Sequence, residues 1–72
     1  MIYKKYRILE ICDGESNTKN HDGIVSEKAP LEILSNARVL FSSNELHLYE
    51  LLEDGTEKEV MIYNNGEFIE VK

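Results

Sequence analysis

Cysteine occurs once in these 72 residues, proline once and tryptophan never, and the chain has no long apolar run. Each shortage closes a route. With Cys12 alone, no intramolecular disulfide can form, and no thiol cluster stands ready for a metal. The histidines, His21 and His47, are far apart and carry no ligand motif. No metal and no cofactor is expected. No stretch approaches the roughly 20 apolar residues of a membrane-spanning helix, so no membrane partner is expected either. Met1-Ile2-Tyr3-Lys4-Lys5-Tyr6-Arg7 has the charge of a secretory leader, but Glu10 and Asp13 interrupt the apolar segment that should follow. Asn-x-Ser/Thr is missing, so nothing marks a glycosylated surface. A cytoplasmic setting is the expectation.

A chain this short supports one core, and residues 1–72 read as a single small domain. Such a domain buries only about 60% of its unfolded surface. Without a disulfide or metal, association with another chain is the remaining staple.

Positive charge is also scarce, and the net charge is −6. Nucleic-acid binders carry a basic stripe, so this balance makes nucleic acid an unlikely partner. The distribution is uneven. Lys4, Lys5 and Arg7 make the start basic, whereas Glu45, Glu50, Glu53, Asp54, Glu57 and Glu59 are offset only by Lys58. A protein partner with a basic surface suits this asymmetry.

What is present is mostly strand. Ile2 to Cys12 is rich in Tyr, Ile and Leu, with adjacent Ile8 and Leu9 implying cover on both faces or a bulge. Asp13 to Gly23 clusters turn formers and reads as a loop. Ile24 and Val25 begin a short strand. Pro30 suits the first helical position, giving about two turns that end near Asn36. Arg38 to Ser42 reads as a strand through Val39, Leu40 and Phe41. Ser43 to Asp54 is ambiguous: Ser42 and Glu45 resemble a capping box, but the following turns favour a strand, with α+β as the alternative class if 43–54 is helical.

Those turns are Asp54-Gly55 and Asn65-Gly66. Asn-Gly between apolar runs is a strong hairpin signal, and it sets Tyr63 opposite Phe68, Ile62 opposite Ile69 and Val60 opposite Val71. At Asp54-Gly55, a two-residue loop would oppose Glu50 to Glu59. A four-residue loop avoids this and pairs Glu53 with Lys58, Leu51 with Val60 and Tyr49 with Ile62. One face then carries Tyr49, Leu51, Val60, Ile62, Ile69 and Val71 and is expected to be the core. The other mixes Leu48, Leu52, Met61, Tyr63 and Phe68 with Glu50, Glu59 and Glu70. The expected fold is mainly β: a small antiparallel meander sheet or partly open barrel with one short helix.

No catalytic motif stands out, and an enzyme is not expected. Cys12 with His21 or His47 has the atoms of a nucleophile and base, but a buried, packing cysteine is the commoner case. Asp13, Glu15 and Asn17 alternate as in a calcium loop, yet Thr18 and Ile24 stand where glycine and glutamate are required. His47 has the parity of the expected core face and reads as structural. Tyr3, Lys4, Lys5, Tyr6 and Arg7 interleave aromatic and basic groups, either as a single-stranded nucleic-acid surface or as a lysine-protected edge strand. Tyr63, Phe68, Glu50, Glu59 and Glu70 form the candidate protein-contact face, with the aromatics as anchors. The functional expectation is a small acidic protein-binding module, an inhibitor or regulatory adaptor. The alternative is a small barrel that binds single-stranded nucleic acid through its first strand. A homodimer through an edge strand is also open to it.

Overall fold

A computed structural model describes residues 3–12, 17–41 and 43–71. Its elements are β1 (Lys4–Cys12), β2 (Asn17–Ser26), α1 (Pro30–Leu40), β3 (Glu45–Leu51), β4 (Glu57–Asn64) and β5 (Glu67–Glu70). The five strands form one open antiparallel sheet in the order β2-β1-β3-β4-β5. The mainly β expectation holds, as an open meander with one helix rather than a barrel. Within the 43–54 segment, Glu45–Leu51 is a strand and no part is helical.

The Asn65-Gly66 turn forms as its residue types dictate. Asn65 and Gly66 both take positive φ, 47° and 90°, the backbone that matches the twist of a tight hairpin. Tyr63 pairs with Phe68 and Ile62 with Ile69. Asp54 closes the other turn by accepting hydrogen bonds at Oδ1 from the Thr56 amide (3.0 Å) and hydroxyl (2.6 Å). The strands resume at Leu51 opposite Glu57, so the loop is one residue longer than expected. Leu51 therefore does not face Val60, nor does Tyr49 face Ile62: Glu50 faces Lys58 and Tyr49 faces Glu59. Past a bulge, Leu48 faces Met61 and His47 faces Ile62, the register of the two-residue loop that the Glu50–Glu59 clash argues against. The Glu50–Glu59 conflict is removed by this irregularity, which gives β4 one extra residue, Val60.

Three local expectations are corrected. The segment expected to loop through Gly23 is strand from Asn17 onward, paired along β1; only residues 13–16 of it lie outside the described residues. Its polar side chains are tolerated because β2 is an edge. Asp22 and Gly23 make a bulge opposite Arg7, with Gly23 at φ 76°, rather than a chain reversal. The helix continues to Leu40, so Arg38–Ser42 is not a strand; Ser42 lies outside the described residues. Ile33, Leu34 and Ala37 recur on one buried stripe, and the amide of Phe41 still donates to the Ala37 carbonyl at 2.8 Å. That periodicity overrides the strand preference of Val39 and Leu40, which are left 78% and 79% exposed.

The helix also takes the opposite sheet face from the one expected to be core. The helix covers the face bearing Tyr6, Ile8, Leu46, Leu48 and Met61, with Tyr63 and Phe68 half-buried beside them. The face expected to be core, with Tyr49, Leu51, Ile62 and Ile69, has no helix over it. Both faces are apolar, and alternation alone does not say which one a helix takes. Val60 is turned by its bulge and packs against the core cluster. No helix among the described residues is long and apolar enough to cross a membrane.

Candidate protein-docking face

The helix-free face is built by the odd-numbered residues of β1 and β3. Antiparallel pairing aligns Asn20, Leu9, His47, Ile62 and Ile69 in one row across all five strands. A second row runs through Thr18, Ile11, Glu45, Asn64 and Glu67. Leu9, Ile11 and Ile62 are half-buried by their neighbours, and Ile69 is 44% exposed.

Polar groups divide this apolar row. His47 bridges two carboxylates: Nδ1 lies 2.8 Å from Glu59 Oε2, and Nε2 lies 2.7 Å from Glu45 Oε2. Only the imidazolium carries a proton on both ring nitrogens, so this geometry is that of the cation. Burial pulls the His47 pKa down, but the hydrogen bonds and charges of Glu45 and Glu59 outweigh it and leave the net shift upward. Glu59 is in reach because the bulge sets it beside Tyr49. Burial, then the nearby Glu59 charge, pushes the Tyr49 phenol up.

Arg7 anchors the adjacent corner. Its Nε and Nη2 donate to Glu57 Oε2 and Oε1 at 2.7 and 2.9 Å, and Nη1 donates to Asn20 Oδ1 at 2.5 Å. The guanidinium lies over the Tyr49 ring, 4.4 Å from its centroid. The Arg7 hydrogen bond holds the Glu57 carboxyl below its ordinary value.

A second polar cluster sits on the helix side, past the end of α1. Glu10 is only 6% exposed and accepts hydrogen bonds from Ser43 Oγ at Oε2 and from His21 Nε2 at Oε1, the latter at 2.9 Å. With the Ser43 proton committed to Glu10, the Cys12 thiol donates to Ser43 Oγ, at 2.9 Å. His21 stacks on Phe41 with centroids 4.1 Å apart. The hydrogen bond from Ser43, then that from His21, lowers the Glu10 pKa despite burial.

These positions answer the candidate sites one by one. Cys12 and His21 are brought into one cluster, but Glu10 and Ser43 stand between them, and His47 lies on the opposite face. Among the described residues no group of His, Cys, Asp and Glu is arranged to hold a metal ion. At His47 the two carboxylates occupy different ring nitrogens and do not converge. Of the calcium-like pattern, Asp13 and Glu15 lie outside the described residues. The contact set Tyr63, Phe68, Glu50, Glu59 and Glu70 does not share one free face. Tyr63 and Phe68 pack on the core, with ring centroids 5.1 Å apart. Glu50 faces Lys58 and lies 3.9 Å from Lys4, Glu70 is exposed on β5, and the bulge turns Glu59 to the other face. The Tyr3-to-Arg7 segment is interior to the sheet, between β2 and β3, so it is not an edge strand. Its Tyr6 is buried and its Arg7 is engaged; Tyr3, Lys4 and Lys5 are exposed.

The sequence reading missed Glu10, Arg7–Glu57 and the His47 bridge. A partial signal existed for the last: Glu45 and His47 alternate onto one face of any strand through them. Comparisons with known protein families, curated proteins and solved structures returned no match.

Proposed function

We propose that this chain is a small protein-binding module, acting as a regulatory adaptor or inhibitor in the cytoplasm, that docks its partner on the helix-free face of the sheet. The observation that carries this reading is the uncovered row Leu9–Ile62–Ile69, bordered by Glu45, Glu57, Glu59 and Glu67. An apolar centre with a polar rim is the usual anatomy of a contact patch. Its carboxylates and the net charge of −6 favour a partner with a basic rim over a second acidic copy. The single free cysteine fits a reducing compartment.

A non-enzymatic role accords with the polar groups. The Cys12 thiol is hydrogen-bonded to Ser43, and the carboxylate of Glu10 is engaged by two partners. The competing arrangement is a homodimer through an edge strand; β2 is interrupted by the Asp22-Gly23 bulge, and the other edge is β5. That strand has four residues, two of them glutamates, which discourages edge pairing.

Affinity capture from cell extract, with identification of bound proteins, tests the docking face. Ile62→Ser with Ile69→Ser, shown to be folded, is expected to lose the bound proteins. Val39→Ser with Leu40→Ser, which alters exposed apolar groups on the helix, is expected to keep them. The reverse pattern would move the site to the helix.

A further inference from the structure

The docking face has a titratable group at its centre. His47 stands between Leu9 and Ile62 in the apolar row and holds a carboxylate on each ring nitrogen. We propose that His47 is a proton-operated latch: protonated, it holds Glu45 and Glu59, and on losing its proton it releases one of them to a cationic group of the partner. The partner half of this proposal rests on the docking reading; the latch itself does not.

The surroundings determine the sign. From β3 the charged and titratable neighbours are Glu45 and Tyr49, and from β4 they are Glu59 and Glu57. β1 contributes Arg7, which is occupied by Glu57 and Asn20 and so leaves Glu59 to His47 and the Tyr49 phenol. β5 contributes Glu67, which is in the row of Glu45. Carboxylates therefore outnumber free cations around the ring. A neutral imidazole donates through one nitrogen only and turns a lone pair toward the other carboxylate. One of the two contacts then opens, and the face gains one negative charge.

Glu59 belongs to the bulge, so its release also removes a tether on the irregular part of β4. A lysine or arginine that docks against Glu45 and Glu59 competes with the imidazolium and expels up to one proton. Affinity for a cationic partner therefore rises with pH, by up to about tenfold per unit across the titration of His47.

The test uses the whole chain and two readouts. In a proton NMR titration between about pH 5 and pH 9, the His47 ring is expected to titrate above 6.5, the ordinary value. A midpoint at or below 6.5 overturns the latch without bearing on docking. In parallel, an alternating arginine–valine octapeptide is titrated against the wild type at about pH 6 and pH 8.5. Expected are tighter binding at the higher pH, resonance shifts at Leu9, Ile62 and Ile69, and no pH dependence in His47→Gln. Binding that shifts only residues away from this row overturns the docking reading while leaving the ring titration as an independent result. PH dependence that persists in a folded His47→Gln variant overturns the assignment to His47. Should that variant fail to fold, the wild-type titration still decides the latch.

Discussion

Glu10 is a buried carboxylate whose oxygens are both satisfied, by His21 on β2 and by Ser43 beyond the helix. Its folded pKa is depressed, so its contribution to stability is complete above the ordinary carboxylate value of 4.5. That contribution is lost as pH falls through the lower, folded value. Denaturant midpoints measured on the acid side are expected to fall more steeply in the wild type than in Glu10→Gln. At neutral pH the same substitution is expected to cost about 1–3 kcal/mol, because an amide cannot accept at both positions. A second residue-scale expectation concerns Leu48, which has no exposure at all. Leu48→Ala should cost about 2–5 kcal/mol by equilibrium unfolding, a large share of the roughly 5–15 kcal/mol available to a small domain. Leu48 was legible as an apolar strand residue, though it was assigned to the less regular face. Glu10 was not legible, because its partners come from segments 11 and 33 residues away. Such a cluster exists only once β1 and β2 have paired and the chain has returned past the helix.

Elements differ in how openly residue type declares them. Asn65-Gly66 permits one tight reversal, and its hairpin register was legible to the residue. Gly66 sits at φ 90° with open space where a side chain would go, so Gly66→Ala is penalised by backbone strain rather than by a clash. Its expected cost is about 1–2 kcal/mol in thermal or denaturant unfolding. Asp54-Gly55 was legible as a turn but not as a loop length, because the Glu50–Glu59 repulsion has two remedies, a longer loop or a bulge. The chain uses both. The helix was legible at Pro30 and misread at its end, since Val39-Leu40-Phe41 has strand composition while Phe41 continues the spacing set by Ile33 and Ala37. Val39→Glu with Leu40→Lys tests this directly. On an exposed helical surface the change should stay within about 0.5 kcal/mol per site, whereas in a buried strand it would be severe. β2 was hidden for the opposite reason. Its side chains are those of a loop, and its pairing along β1 makes it a strand.

At the scale of the whole molecule, one helix is shared by a sheet with two apolar faces. Composition alone could not say which face it would take, and that choice separates the aromatic pair from the surface now proposed for docking. It also sets the alkaline limb of stability. The His47 pKa is raised in the folded state, so its contribution is complete below 6.5 and is lost as pH rises through the folded value. Unfolding midpoints should therefore decline on the alkaline side in the wild type and stay flat there in His47→Gln. The strand order has a separate consequence for assembly. Three of the four strand pairings join neighbours in sequence, and only β1 with β3 spans the helix. The molecule thus consists of a front piece, β1-β2-α1, and a rear piece, β3-β4-β5, joined along the β1–β3 seam from Lys5–Leu51 to Ile11–Glu45 and by α1 packing on β3 and β4. Cut in the connection after Leu40, the two peptides are expected to fold only together, by pairing β1 with β3 and seating α1 on β3 and β4, which makes the chain a substrate for fragment complementation.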